Sequence, residues 1–476
     1  MSMKRRPEGR QEAFWITRDA IASGPGHPFY GHLEGVLREA GFDAYVERQC
    51  STYYARKQGR PSIPPGVYFR MLLIGYFERI DSERGICWRC SDSLSLRCFL
   101  GLSLDESTPD HSSLSRIRTR LSLEVHQEVF GWVLGVLGRN GLLDGKTLGV
   151  DATTLEANAA LRSIVRRDTG ERYDSFLTGL AQASGIATPT RAELAKLDRK
   201  RPRKGSNEEW KHPHDPDAQI TKMKDGTTHL AHKLEHAVDM SGEGAVLSVT
   251  LHGGTRGDTQ SLPETLAEAQ EHLEDLIEDP AVSDTLHEDA GREVVADKGY
   301  HSNDTLLDLS EEEYRTYISE PDRGRRRWQG QADAQRATYA NRQRIRGNRG
   351  KRLLRKRGEL LERPFAHYLE AGGMRRTHLR THPNILKRLL VHVAGFNLGI
   401  LMRHLIGTAT PRAYAALYRY LFVVYGVLRE AFQGSLRSIW ITIRQVRQIL
   451  QPHRPITPPS KNQLTIRQLT PFSTGC

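Results

Sequence analysis

Val294-Val295-Ala296-Asp297-Lys298-Gly299-Tyr300 is a short apolar run that ends in a carboxylate, with a basic residue, a glycine and an aromatic directly after it. The pattern reads as a buried strand that delivers Asp297 to the rim of a sheet, where the chain turns at Gly299. In open α/β sheets, ligands and chemistry sit outside the carboxyl ends of strands. An Asp at a strand end also makes ordinary local turn bonds. On this stretch alone that plainer reading is favoured, so the weight falls on what other carboxylates the chain could bring to the same rim.

A second strand-borne Asp lies upstream. Lys146-Thr-Leu-Gly-Val-Asp151-Ala-Thr-Thr-Leu155 is β-branched and apolar, and Asp151 punctuates it. Strand texture returns at Thr228–Met240 and Ala245–Leu251, with Gly242-Glu-Gly244 as a hairpin signal between them. Leu262–Ile277 is an amphipathic helix, Asp304–Leu309 a short one, and Tyr314–Ser319 a further strand. This order describes a mixed α/β layer. Asn158–Asp217 is polar, too long for a normal connection, and includes the basic run 199–205 and His212-Pro-His-Asp-Pro-Asp217. It reads as an insertion with some helix at Arg191–Lys200.

Before Gly145 the chain is helical in short pieces: Val67–Ile80 after Pro64-Pro65, Gly85–Cys90, Leu94–Leu100, Leu114–Leu121 and Glu124–Asn140. Such capped short helices suit a helix-turn-helix DNA reader and a plain helical domain equally. After the sheet region, Arg323–Arg357 holds fourteen Lys or Arg against one acid, Asp333. A charge run is usually a solvated face, but this imbalance favours phosphate contact. Helix resumes near Leu360, with Pro364 as a start or a break, and again over Asn384–Leu405 and Ala413–Ile449. Ala413–Leu428 is too short to span a bilayer, contains Arg419, and reads as a buried helix. The Pro-rich tail from Gln451 reads as disordered.

The 476 residues suggest two or three domains, and a net charge of +12 points to a polyanionic partner. Five cysteines fit a reducing compartment. Cys87 and Cys90 have zinc-ligand spacing, but no second pair completes a site, so core cysteines are the better reading. No apolar stretch follows the basic N-terminus, so a cytoplasmic protein without membrane partners is expected.

Glu362 supplies a third carboxylate after the basic stretch. Asp151, Asp297 and Glu362 are 146 and 65 residues apart, so only a fold could gather them. Three acidic groups suit two Mg²⁺ ions that activate a nucleophile and stabilise a leaving oxygen on a phosphodiester. Glu359, one helical turn from Glu362, competes for the third place, and Glu156 is a lesser rival.

Three blocks carry a family resemblance: Gly149-Val-Asp151-Ala-Thr-Thr-Leu-Glu156-Ala-Asn158, Val295-Ala-Asp297-Lys-Gly-Tyr300-His-Ser302 and Arg355-Lys-Arg-Gly-Glu-Leu-Leu-Glu362-Arg-Pro-Phe365-Ala-His367. With Gly372–Arg380, Asn384–Arg403 and the helical pattern Pro65–Leu121, the chain resembles DDE transposases of bacterial insertion sequences over about residues 60–405. The resemblance implies an RNase H-like mixed sheet flanked by helices, an all-α N-terminal domain and a helical C-terminal extension. The expected boundaries are 1–142 for the helical domain and 143–408 for the catalytic domain, with an insertion at about 158–227. C-terminal helices at 409–450 and a tail at 451–476 complete the chain. The resemblance also implies that Asp151, Asp297 and Glu362 bind two Mg²⁺ or Mn²⁺ ions, that the partners are double-stranded element ends and target DNA, and that a homodimer forms in the synaptic complex. Related elements often carry Tyr and Arg seven and four residues before the Glu and a basic residue seven after it. Here those places hold Arg355, Gly358 and Leu369, so DNA positioning shifts to Arg355, Arg357 or Arg375. Lys298, Arg325, Arg326, Arg327, Arg352, Lys356 and Arg376 complete the expected DNA contacts. A catalytically silent DNA-binding relative and a nuclease without strand transfer are the alternatives.

Overall fold

The computed structural model describes residues 26–55, 62–200, 205–223, 225–322, 324 and 326–449. The basic loop 56–61, the centre of the 199–205 run, Arg325 and the tail from Gln451 lie outside the described residues.

The N-terminal part is helical. Its elements are α1 (Pro28–Glu39), α2 (Phe42–Cys50), α3 (Pro65–Glu78), α4 (Glu83–Asp92), α5 (Leu94–Phe99), α6 (His111–Arg120) and α7 (Leu123–Arg139). Local chemistry sets several starts. The Ser82, Ser93 and Asp110 side chains accept the N–H of Gly85, Leu96 and Ser113 at the heads of α4, α5 and α6. The run from Pro65 to Phe77 is buried all round, so α3 is a central helix rather than an amphipathic surface one. Cys50, Cys87 and Cys90 are buried and free, and burial raises the thiols of all three.

The strands are β1 (Thr147–Glu156), β2 (Val165–Arg166), β3 (Trp210–Lys211), β4 (Gln219–Lys222), β5 (Thr228–Asp239), β6 (Val246–Gly253), β7 (Glu293–Ala296) and β8 (Arg315–Ile318). Six form one sheet in the order β4-β5-β1-β7-β8, and β6 pairs with the edge of β5 beyond β4. The β5–β1 and β5–β6 pairs are antiparallel, whereas β1–β7 and β7–β8 are parallel. A mixed sheet of this kind is compatible with an RNase H-like core. β2 and β3 form a separate two-stranded sheet. With α8 (Tyr173–Ala183) they enclose a small core of Trp210, Ile164, Ala157, Ala218 and Leu230. The polar segment after β1 is therefore a lobe with its own core, extended by α9 (Arg191–Lys200).

The remaining helices are α10 (Asp258–Glu278), α11 (Asn303–Glu311), α12 (Ala332–Arg346), α13 (Asn348–Phe365), α14 (His382–Ile406) and α15 (Pro411–Ile449). The basic stretch is thus two helices, not a charged connection before one. Its inward residues explain why apolar periodicity misses it. α12 buries Ala334, Ala337, Thr338 and Asn341, which are small or polar. Glu362 accordingly lies in the last turns of α13 rather than opening a helix. Pro364 sits inside α13, where it removes one backbone donor, and a π-helical turn, Ala366–Ala371, follows at once.

Side chains from α1–α7, the sheet and α14 share one apolar core. Asn397 of α14 exchanges two hydrogen bonds with the Val246 backbone, at 3.0 and 2.8 Å. The chain divides into two units at Ala415. The expectation of a buried helix at Ala413–Leu428 fails. α15 is continuous, and Tyr418, Phe422, Tyr425 and Leu428 are exposed on it. One helical stretch, His382–Arg447, is long and apolar enough to cross a membrane by length and composition, and most of its apolar window is buried in the protein.

Candidate active site

Strand register brings the two aspartates together. β1 and β7 run parallel with Leu148 opposite Val294 and Gly149 opposite Val295. Two residues further along each strand stand Asp151 and Asp297, on the same face by the two-residue alternation of strands. That face looks onto α13. A Cβ on Gly149 would lie 2.6 Å from Leu361 Cδ1 and 2.5 Å from Met240 Sδ. Glycine therefore lets the helix approach β1 directly beneath Glu362, the next residue.

Asp297 lies one residue past β7. Its Oδ1 accepts the Gly299 N–H at 2.7 Å and caps a 3-10 turn, Lys298–Tyr300. The turn is fastened from below. The Tyr300 hydroxyl donates to Glu235 Oε1 at 2.8 Å, and Glu235, fully buried on β5, also accepts from Ser261 and Thr265 of α10 at 2.7 and 2.5 Å. A side chain at Gly299 would collide with the Asp258 carboxylate, 2.4 Å from its Cβ position. The Lys-Gly-Tyr sequence is thus a device for holding Asp297 still.

Asp151 sits mid-strand, and burial pushes its carboxyl up to about 6. The Ala152 N–H, which donates to Oδ1 at 2.9 Å, and the Arg357 guanidinium act against this. The Asp297 and Glu362 carboxylates push the same way as burial. Asp151 therefore feels both of its expected partners. Glu359 bears instead on Arg363, on the side of Glu243, and Glu156 lies near His229 and Arg376, 3.6 Å from each.

Arg357 is the closest cation to the aspartates in α13, with Nη1 3.7 Å from Asp151 Oδ2. The buried residues of α13 are Gly350, Leu353, Leu360, Leu361, Pro364 and Phe365. Arg357 falls on that helical stripe, between Leu353 and Leu360, so it points inward. Beyond Glu362 the helix is locked by His236, the β5 neighbour of Asp151. The His236 ring stacks on Phe365 at 3.8 Å between centroids, and its Nδ1 is hydrogen-bonded to the Tyr368 hydroxyl at 2.5 Å. Burial holds the imidazole neutral, down to about 3. Sequence reasoning missed His236, Glu235 and Tyr368. Polar residues inside the apolar β5 run signal Glu235 and His236, whereas Tyr368 lies in the turn after α13 and has no such signal.

The expected DNA contacts separate into groups. Lys298 is exposed on the Asp297 turn. Arg375, also exposed, pairs with Glu370 and reaches Thr153 Oγ1 at 3.4 Å, two residues along β1 from Asp151. Arg376 lies 3.6 Å from Glu156. Arg327 and Arg355 are exposed. Arg326 is held by Glu320 at 3.0 Å and Asn303 at 2.8 Å. Lys356 donates to the Met240 carbonyl at 2.9 Å, and with Arg352 and Arg349 it lines a basic hollow at the start of β1 that also includes Lys146 and His287.

The donors at the rim are carboxylate oxygens, the chemistry that suits hard divalent cations. Among the described residues no three Asp, Glu, His or Cys side chains close on one point in this arrangement.

Two family profiles match the chain. One, described as a transposase domain (DUF772), covers residues 25–120, and the other, described as a transposase DDE domain, covers residues 207–420. The chain belongs to the DDE transposases of insertion sequences. No curated protein and no solved structure matches it. In this transposase Asp297 and Glu362 fall inside the DDE-domain match, and Asp151 falls between the two matched stretches. The N-terminal match takes in α1–α6. Members of the family carry out transposition through the DDE domain and generally use divalent metal ions.

Proposed function

We propose that this transposase binds the ends of its element, cleaves DNA by metal-assisted hydrolysis and joins the freed 3′-OH to target DNA, in an RNase H-like catalytic core. One observation carries the reading: Asp151 and Asp297 each stand two residues beyond the paired Gly149 and Val295 of adjacent parallel strands, and the charge of Glu362 on α13 acts on Asp151. Asp151, Asp297 and Glu362 would hold two Mg²⁺ or Mn²⁺ ions, which supply Lewis acidity and a deprotonated nucleophile. The chain's own residues do the rest. Arg357 offsets the clustered negative charge, Tyr300 and Gly299 fix the Asp297 turn, and His236 fixes the end of α13. Lys298, exposed beside Asp297, and Arg375, exposed near Thr153 of β1, would meet phosphates of the bound DNA. Synapsis of two ends calls for two copies of the chain.

The test is strand cleavage of end-containing duplex with Mg²⁺ or Mn²⁺, followed by joining of a labelled 3′ end into plasmid DNA. The Asp297→Asn protein is expected to bind this DNA and not cut it. Cleavage at the parent rate would remove the assignment. A silent DNA-binding relative is the second reading, favoured by the absence of three closing side chains among the described residues. Binding by the parent without metal-dependent cleavage would establish it.

A further inference from the structure

The His212-Pro-His-Asp-Pro-Asp217 run and the Arg375–Arg380 loop meet beyond the end of β1. The loop runs alongside the strand end: the Glu156 N–H donates to the Arg375 carbonyl at 3.2 Å, and the Thr377 N–H to the Glu156 carbonyl at 3.1 Å. Asn158 Nδ2 donates to the His378 carbonyl at 3.2 Å. The lobe then clamps the loop's far end. Asp215 and Asp217 accept the backbone N–H groups of Thr381 and His382 at 3.0 and 2.9 Å. Thr381 has φ +68°, a conformation β-branched residues avoid, and these bonds hold it there.

Between the two walls lies an open groove of about 480 Å³. Arg172, Arg376, Arg380, His212, His214 and Asn158 line it, together with small residues; among the described residues no acid lines it, although Arg172 reaches Asp174 at 3.3 Å and Arg376 reaches Glu156 at 3.6 Å. The Arg172 and Arg376 side chains are 70% and 63% exposed. His212 is 3% exposed, and its Nδ1 has no hydrogen-bond partner among the described residues. Three arginines with imidazole and amide donors suit a phosphodiester, and among the described residues no Phe, Tyr or Trp lines the groove to stack a base.

We propose that this groove is a second DNA-backbone site, formed jointly by the inserted lobe and the Arg376–Arg380 loop, that grips the strand leaving the active site. The proposal rests on the DNA-cleaving reading above. The strand bounds its position. β1 runs five residues past Asp151 to Glu156, and Asn158 follows two residues beyond its end, so at about 3.3 Å per residue the groove lies up to roughly 23 Å from Asp151. Duplex DNA rises about 3.4 Å per base pair, so the gripped phosphates lie up to about seven nucleotides from the scissile bond. The groove thereby gives a role to a lobe and a motif that the carboxylate site leaves unused.

The experiment places single neutral methylphosphonates along an end-containing duplex and measures binding and cleavage by the full chain. The parent is expected to lose affinity when the neutral linkage lies at a position up to about seven nucleotides from the cut. Arg380→Ala and Arg172→Ala, both at exposed positions, should each erase that loss and lower the salt slope of binding by about one. Asp297→Asn should keep the interference pattern while failing to cut. Normal cleavage by the parent with no interference within that distance, or an unchanged pattern in both arginine variants, overturns the proposal and leaves the cleavage reading standing. Thermal stabilisation by inorganic phosphate in the parent but not in Arg380→Ala, with no methylphosphonate effect, makes the groove a small-anion site and overturns the DNA assignment. A parent that neither binds nor cuts the duplex overturns both readings.

Discussion

The Arg357 guanidinium stands 3.7 Å from Asp151 Oδ2, reaching inward from the helix that also carries Glu362. Cation and carboxylates are thus coupled through one rigid element. Arg357 lowers the affinity of Asp151 for a proton, against burial and two neighbouring carboxylates that raise it.

That balance predicts the pH dependence. Protonated Asp151 is a poor metal ligand, so at subsaturating metal, where protons and cation compete for it, cleavage should fall as pH drops through about 6. Arg357→Gln removes the opposing charge and leaves burial in place. Its acid limb should move to higher pH. A rate–pH profile of end cleavage for the two proteins measures this, and an unchanged limb would show that Arg357 does not act on Asp151.

The same carboxyl should make the metal-free protein less stable at neutral pH. Its folded value of about 6 lies above the ordinary 3.8. The folded state therefore holds this proton more tightly, and the associated stability is complete below 3.8 and lost as pH rises through 6. The difference corresponds to about 3 kcal/mol at most, less because the side chain keeps some exposure. Asp151→Asn should accordingly raise the unfolding free energy at pH 7.5 in chelator by about 1–2 kcal/mol, and change it little near pH 4. Saturating Mn²⁺ should reverse the order, because a ligand at about a hundred times its Kd stabilises the parent by about 2.7 kcal/mol. Chemical denaturation with and without metal reads both signs.

Gly149 tests the packing that sets the helix over the strand. Its conformation is ordinary, so the constraint is space: Leu361 Cδ1 and Met240 Sδ occupy the region a side chain would enter. Gly149→Val should cost about 1–3 kcal/mol by overpacking. It should also depress cleavage well beyond the effect of that stability loss at low temperature, since α13 must lift and carry Glu362 with it. Circular dichroism at the assay temperature separates a displaced helix from an unfolded protein.

β1 and β5–β8 and the two aspartates were legible because β-branched and apolar runs bounded by turn residues are local signals, whereas β2, β3 and β4 are two to four residues long and lie in or beside a polar segment. Also legible were α4, α6 and α7, with capping residues at two of their starts. The two basic helices were not, because α12 buries Ala and Asn rather than Leu, and the Arg357 position of α13 interrupts its apolar stripe. The exposure of α15 was illegible for the opposite reason. A run such as Tyr418–Leu428 has a core-like composition, and only tertiary placement decides whether anything covers it. Pairings across more than sixty residues, such as Tyr300 with Glu235 and His236 with Tyr368, carry no local signature.

Glu359 and Glu362 could not be separated by sequence spacing, and their surroundings now divide them. Glu362 bears on Asp151, whereas Glu359 bears on Arg363, whose guanidinium is held by the Glu243 carbonyl at 2.9 Å. Both residues are exposed, so a Gln at either place leaves packing intact. Glu362→Gln should reduce metal-dependent cleavage by two or more orders of magnitude, about 2.7 kcal/mol or more in the barrier. Glu359→Gln should leave the rate within about threefold of the parent and shift the denaturation midpoint by less than about 0.5 kcal/mol. Single-turnover cleavage at saturating Mn²⁺ distinguishes the two. The reverse result would move the third carboxylate one turn back along α13 and take the Arg357 argument with it.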